Sequence, residues 1–365
     1  MKVAVVTGTR PELIKMQPII KEIQRRNSLN LTFLHTGQHY DWDMSNLFIE
    51  ELGLPKPKLF LNIRSGSHGV QTARIITECE RVFKRERADI VLVEGDTNSA
   101  LGTAFAAAKL KILVGHVEAG CRSFDRSMPE EINRILIADL ASIHFAPTKT
   151  CVQNLMREGI PKEQIYHTGH PIVDVLHQFQ PKINGRIIAK FGLKAKEYYL
   201  VTIHREENVD DKGILERILK ALSRLAEHRS IIFPMHPRTT KCLKKFGLER
   251  YLKNLKIAQP VGYFEALSLI KYARIVLTDS GGIQQECALL ETPCITLRSN
   301  TEWIETVNYG VNFLGRRTEE IIVLAKKVEN EYREIMNRFG LLKKVFGELY
   351  VSTKIVNVIE KLHIK

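Results

Sequence analysis

The stretch Arg274-Ile-Val-Leu-Thr-Asp279-Ser280-Gly281-Gly282-Ile283-Gln284-Gln285-Glu286 passes from an apolar run to a glycine pair and then into helix-forming residues. A short unbroken apolar run suits a buried parallel strand, and the glycines permit a sharp join to the helix that follows. The first backbone N–H groups of a helix lack internal acceptors and lie at the positive end of its dipole, so this join is an anion trap. Ser280 adds a hydroxyl, and Glu286, four residues beyond Gly282, is placed to accept hydrogen bonds from sugar hydroxyls. Neither a phosphate-loop lysine nor G-x-G-x-x-G is present, so a nucleoside-diphosphate conjugate fits better than ATP or NAD. Close packing alone would also explain a strand–Gly–Gly–helix join, so the rest of the chain must decide.

Outward from this join, short apolar runs alternate with amphipathic segments. Strands are expected at residues 3–7, 31–36, 90–94, 112–117, 144–147 and 165–167, then at 199–203, 231–235, 255–258, 275–278 and 294–297. Helices fall between them, for example at 11–25 and 71–87. Such alternation predicts an α/β chain of parallel sheets with crossover helices. Two series predict two Rossmann-like domains across a cleft, residues 1–170 and 171–350. The weakly periodic stretch 170–192, with Pro171, Pro181 and Gly185, reads as the linker. A final helix at 351–365 is expected to return to the first domain.

A length of 365 residues suits two cores better than one. The net charge of +13 favours anionic partners, but the cations are spread over helical faces, so a nucleic-acid footprint is not expected. Six cysteines without a C-x-x-C pair read as free thiols of a reducing cytoplasm. No stretch approaches the roughly 18 apolar residues of a membrane span.

Ligands of such sheets bind beyond the carboxyl ends of the strands. There the first half carries Gly8-Thr9-Arg10-Pro11-Glu12 with Lys15, Glu94-Gly95-Asp96-Thr97, His116-Val117-Glu118-Ala119-Gly120, and Pro129-Glu130-Glu131-Ile132-Asn133-Arg134. Arg10 and Lys15 would offer cations to phosphate oxygens. Asp96 alone would read as a helix cap, and Glu130 to Arg134 as an i,i+4 pair. Carboxylates at successive strand ends do not share one bland explanation. The second half adds His204-Arg205-Glu206-Glu207-Asn208 and His236-Pro237-Arg238, histidines where buried strands end. They read as ligand contacts; zinc held by His204, His236 and a carboxylate lacks a local motif, and no metal is expected.

These motifs, with Thr278-Asp279-Ser280-Gly281-Gly282-Ile283-Gln284, resemble the non-hydrolysing UDP-N-acetylglucosamine 2-epimerases in order and spacing over almost the whole chain. The resemblance implies a glycosyltransferase-B fold, no cofactor, and a cytoplasmic homodimer. It also implies interconversion of UDP-N-acetylglucosamine and UDP-N-acetylmannosamine through loss of UDP, a 2-acetamidoglucal and re-addition. By the same resemblance Asp96, Glu118 and Glu130 are acids and bases, with His204 beside them. Arg10, Lys15, His204 and the Ser280-Gly281-Gly282 turn would hold the diphosphate, Glu286 the ribose, and His236 would be a further substrate contact. The chain departs from many bacterial members at Pro260–Ala266 and at Thr301-Glu302-Trp303-Ile304-Glu305, where an arginine is replaced. The second change is similar to epimerases of UDP-2,3-diacetamido-glucuronate, the alternative substrate; a glycosyltransferase of the same fold and a non-catalytic nucleotide or nucleic-acid binder explain less. Bacterial members hold an activating second UDP-N-acetylglucosamine partly through a Gln-His-Arg segment. Here Gln38-His39-Tyr40-Asp41 removes that cation, with Arg74 and Arg122 as candidates to replace it.

Overall fold

The computed structural model describes residues 1–38 and 42–362. It divides into two compact units, Met1–His177 with Val345–Lys365, and Gln178–Lys344. The first unit holds a seven-stranded sheet of β1 (Lys2–Thr7), β2 (Asn30–His35), β3 (Leu59–Phe60), β4 (Ile90–Glu94), β5 (Leu113–Val117), β6 (Ile143–Ala146) and β7 (Ile165–His167). Their order is β3-β2-β1-β4-β5-β6-β7, and every pairing is parallel. The second holds β8 (Tyr198–Thr202), β9 (Ser230–Pro234), β10 (Lys256–Ala258), β11 (Ile275–Thr278), β12 (Cys294–Thr296) and β13 (Asn312–Leu314), in the order β10-β9-β8-β11-β12-β13, again all parallel.

Both orders reverse beside the first strand of their sheet, between β1 and β4 and between β8 and β11. At such a switch point the connections leave in opposite directions and open a crevice at the strand ends. Crossover helices pack on the sheets because the strands are largely apolar and buried. In the first unit Val6, Leu34, Val91, Val93 and Val114 meet Ile75, Phe83, Ala104 and Ile137. The helix Asn98–Lys109 is rich in alanine, and a Cβ on its Gly102 would crowd Ile75 at 2.8 Å, so this helix approaches its neighbour closely. In the second unit Tyr198, Leu200, Ile232 and Val276 pack with Leu269, Ile270 and Cys287.

The expected strands appear within a residue or two, but β3 and β13 were not anticipated. They span two and three residues at sheet edges, too short for any periodicity to register. The unit boundary lies at His177/Gln178, seven residues beyond the expected one. The presumed linker begins with a helix, Ile172–Phe179, whose Ile172, Val175 and Leu176 are buried. All six cysteines are free thiols, with Cys121 Sγ and Cys151 Sγ 3.4 Å apart. Among the described residues no helix is long and apolar enough to cross a membrane.

The last helix, Val351–Glu360, is shorter than expected and lies on the helix Arg10–Arg25, where Arg26 reaches Glu360 at 3.0 Å. Its N-cap, Tyr350, has φ +72° and no capping side chain of its own. Asp174 caps it from a distant part of the chain. One carboxylate accepts from the backbone N–H of Tyr350 (2.8 Å), Val351 (3.2 Å) and Ser352 (2.8 Å) and from the Ser352 hydroxyl (2.6 Å). Asp174→Ala should therefore cost the first unit about 1–2 kcal/mol, the usual loss for a helix cap. Differential scanning calorimetry should show a transition lowered by a few degrees; an unchanged melting profile would mean water replaces the cap without cost.

Candidate active site

At the switch point of the first sheet a single ammonium is surrounded by carboxylates. Lys15 rises from the helix Arg10–Arg25, buried, and donates to Glu94 Oε1 at 2.9 Å and Glu118 Oε2 at 2.5 Å. Glu94 is the last residue of the apolar strand β4, and Glu118 follows β5. Burial opposes charge on all three groups. Two carboxylates share one close cation, and the outcome is unequal. Glu94 is pushed well above the usual carboxylate range by burial and by the charges of Glu118 and Glu12, although Lys15 opposes this. Burial would also raise Glu118, but Lys15 and a hydrogen bond from His170 Nε2 (2.6 Å) hold it below that range. The two carboxylates raise Lys15 despite its burial. Lys15, which the sequence offers to phosphate, here donates to Glu94 and Glu118, because a buried cation must be paired.

Asp96 lies one turn further along the same rim, a quarter exposed, with Arg134 Nη2 at 2.5 Å. Burial raises it, with Glu130 and Glu118 adding to the effect, while Arg134 opposes. Glu130 is half-buried in the first turn of the helix Pro129–Leu140. The i,i+4 pairing of Glu130 with Arg134 that spacing alone allows does not form: Arg134 binds Asp96 and Glu131. Two other carboxylates of these motifs brace the backbone. Glu12 accepts from Gly8 N–H (2.7 Å), Thr9 N–H (2.7 Å), the Thr9 hydroxyl (2.9 Å) and the Thr97 hydroxyl (2.7 Å). Glu131 gathers Ser123 and Phe124 N–H groups at 3.0 Å and Arg134 at 2.6 Å. Arg10 stacks on Phe48, 4.6 Å from its ring centre.

In the second unit the corresponding centre is Asp279, fully buried at the end of β11. It accepts from the backbone N–H groups of His204 and Arg205 at 3.0 Å and from Asn208 at 3.2 Å, and His204 Nδ1 lies 3.2 Å away. His204 and these donors hold Asp279 low against the opposing effect of burial. The His236 ring is 5.7 Å from that of His204, and its Nδ1 accepts from Arg238 N–H at 3.2 Å as a helix cap. Burial lowers His236, and His204 and Arg238 add to this. The helix Gly281–Leu289 begins as expected, with the Ser280 hydroxyl accepting from Ile283 N–H at 3.5 Å. Glu286 lies on this helix, largely buried. Among the described residues no group of three or more His, Cys, Asp or Glu could hold a metal ion.

Three residues here escaped the sequence reading. Glu94 could have been found as an acid closing an apolar strand, a charge that burial obliges to pair. His170 stands where a strand ends, the same signal that picks out His204 and His236, but falls in the weakly periodic stretch that reads as linker. Asp279 sits inside the glycine-join motif, where nothing in its spacing marks it as a buried acceptor. Arg122, a candidate to replace the lost effector cation, is buried and bound to Glu158 at 2.8 and 2.6 Å. That makes it part of the scaffold. Residues 39–41 of the effector segment lie outside the described residues.

The two glycines of the anion trap differ. A Cβ on Gly281 would collide with Glu302 Oε1 and lie 3.7 Å from Trp303 Nε1, so packing explains this glycine. A Cβ on Gly282 would meet nothing closer than Ser280 Oγ at 3.9 Å, leaving space beside the helix N-terminus. Gly282→Val should sharply weaken UDP binding measured by calorimetry with little change in melting temperature. Gly281→Ala should lower the melting temperature as well. Equal UDP affinity in Gly282→Val would remove this turn from the ligand site.

Residues 21–360 match the family model described as UDP-N-acetylglucosamine 2-epimerase. The UDP-N-acetylglucosamine 2-epimerase of Methanocaldococcus jannaschii is 46% identical over 350 residues, 93% of this chain and 95% of that protein. The UDP-2,3-diacetamido-2,3-dideoxy-D-glucuronate 2-epimerase of Pseudomonas aeruginosa is 39% identical, covering 88% and 90%. A crystal structure of the M. jannaschii enzyme in complex with UDP-GlcNAc and UDP matches with a TM-score of 0.87 at 45% identity, covering 98% of this chain and 99% of that one. With the motifs on two doubly wound parallel sheets and a family match over nearly its whole length, the chain belongs to the UDP-N-acetylglucosamine 2-epimerase family.

Proposed function

We propose that this chain interconverts UDP-N-acetylglucosamine and UDP-N-acetylmannosamine by inverting C2. The observation that carries the reading is the set of carboxylates Glu94, Asp96 and Glu118 gathered around Lys15 at the first sheet's switch point. The C2 proton of the sugar is not acidic in the ground state. As the C1–O bond to UDP breaks, C1 takes on oxocarbenium character and the neighbouring proton becomes acidic enough for a carboxylate. Its loss leaves a 2-acetamidoglucal and UDP. Protonation at C2 from the other face, with UDP re-adding at C1, gives the epimer. Two faces call for acid–base groups on both sides, which suits Asp96, Glu118 and Glu130. Arg10, Lys15, His204, His236, Ser280, Gly281 and Gly282 would steady the departing diphosphate, and Glu286 the ribose. Lys15 sets the charge of the carboxylates.

The P. aeruginosa relative supports a second reading, in which the substrate carries a second acetamido group and a C6 carboxylate. The Thr301-Glu302-Trp303 segment, similar to the epimerases of that substrate, favours the same reading, with Trp303 fully buried. Comparing kcat/KM for the two UDP-sugars decides between them. The free thiols support a cytoplasmic setting. Exposed Ile132 and Leu136, one turn apart on one helix, support a homodimer; Leu136→Glu should then sediment as a monomer.

In D2O, deuterium should enter C2 of both epimers, with UDP formed transiently on the enzyme. Turnover without C2 exchange would exclude elimination. Asp96→Asn, Glu118→Gln and Glu130→Gln should each lower kcat by about 10²- to 10⁴-fold, the range for positioned acid–base groups. UDP affinity should barely change, and an amide variant with normal turnover would return that residue to a structural role.

A further inference from the structure

His170 is fixed at every polar atom it has. It lies between β7 and the helix Ile172–Phe179 and is fully buried. Its backbone N–H donates to Phe346 O at 2.7 Å, and its ring meets Phe346 edge-on. Its Nδ1 accepts the backbone N–H of Ile172 at 3.1 Å. A ring nitrogen that accepts carries no proton, so the neutral ring holds its proton on Nε2. That Nε2–H points to Glu118 Oε2 at 2.6 Å, the oxygen that also receives Lys15.

A merely satisfied buried histidine would turn to a backbone carbonyl. Two in this unit do: His116 Nε2 pairs with Gly95 O at 2.8 Å, and His144 Nε2 with Ala138 O at 2.9 Å. His170 instead donates to a carboxylate of the candidate site. Glu118 is also the residue there with unusual backbone geometry, at φ +67° in the left-handed region. A glutamate holds that conformation only where its surroundings over-determine it. Two converging donors on one oxygen are such surroundings.

We infer that His170 is a positioning residue for C2 epimerisation, its Nε2–H fixing the Glu118 carboxylate in the orientation from which it exchanges the sugar proton. The inference rests on the epimerase reading and on Glu118 as one of its acid–base groups. The neutral ring gives direction without adding a second cation beside Lys15. Burial keeps His170 neutral by lowering it, though Glu118 opposes this. The other titratable groups around Glu118 are Lys15 from the helix Arg10–Arg25, Glu94 and Asp96 from β4 and its loop, and His116 and Cys121 from its own strand and loop. Glu12 reaches this set through Glu94, and Glu130 and Arg134 through Asp96. Of these, Lys15 and His170 donate hydrogen bonds to Glu118.

His170→Phe keeps a ring and removes the donor, whereas His170→Gln places an amide N–H near the position of Nε2. His170→Phe should lower kcat about 10- to 100-fold, the worth of a hydrogen bond to a charged group. KM and UDP affinity should hold, and His170→Gln should recover most of the rate. The Glu118 carboxyl carbon, followed by 13C NMR and assigned with Glu118→Gln, should titrate at higher pH in His170→Phe than in the wild type. Normal kcat in His170→Phe, or equal losses in both variants accompanied by falling melting temperature, would overturn the inference. Nitrogen NMR of the wild-type ring tests it without any substitution: a proton on Nδ1, or a ring that charges near pH 6.5, would refute it. A wild-type protein that leaves UDP-N-acetylglucosamine untouched would sink the epimerase reading instead. An unmoved Glu118 titration in His170→Phe would sink the positioning role alone.

Discussion

The first unit is organised around the cost of burying the Lys15 ammonium. An unpaired cation in an apolar sheet–helix interface would lose its proton or unfold its surroundings, so charge must be brought to it. Glu94 arrives at the end of β4 and Glu118 just past β5, and both strands are held by their parallel neighbours. Two carboxylates cannot both be compensated by one ammonium. The asymmetry that results, Glu94 raised and Glu118 lowered, sets two acids with different proton affinities side by side. For an enzyme that must remove a proton from one face of a carbon and return one to the other, such a difference is chemically useful.

The acidic residues of the motifs divide into two kinds by what they touch. Glu12, Glu131 and Asp279 spend their oxygens on backbone N–H groups and neighbouring side chains. They fix the loops after β1, before the helix Pro129–Leu140 and after β8. Glu94, Asp96 and Glu118 are bound chiefly by side-chain donors, and so their charge is set by neighbours that chemistry can use. The braces explain why the rim holds its shape. A carboxylate that accepts three or four hydrogen bonds is hard to rotate, and the loops it ties inherit that rigidity.

Within each unit the topology follows one physical rule. Parallel strands need crossovers, crossovers cover both faces, and the order reverses once, next to the first strand of each sheet. The motif residues fall at the ends of the strands flanking that reversal: Gly8 to Lys15 and Glu94 to Asp96 in one unit, His204 and Asp279 to Gly282 in the other. Glu118 after β5, His170 after β7 and His236 after β9 extend the polar rim to further strand ends.

Alternation of apolar runs with amphipathic helices, read along the chain, determined the α/β class, the two sheets and most strands. The Gly-Gly join after β11 and the carboxylates at strand ends marked the candidate residues. These are local signals, carried by periods of two to four residues and by turn chemistry. Partners were decided only by the tertiary structure. Lys15 reads in the sequence as a cation for phosphate one turn into a helix, and only the sheet brings Glu94 and Glu118 against it across 79 and 103 residues of chain. Glu130 and Arg134 have the right spacing to pair, yet the buried Arg134 guanidinium binds Glu131 and Asp96, which only the fold brings beside it. His170 looked like linker beside a proline, and its role rests on a carboxylate 52 residues away. Spacing along one helix or strand is written in the order of residues. Charge pairing between strands depends on which ends the fold brings together, and burial makes that pairing compulsory.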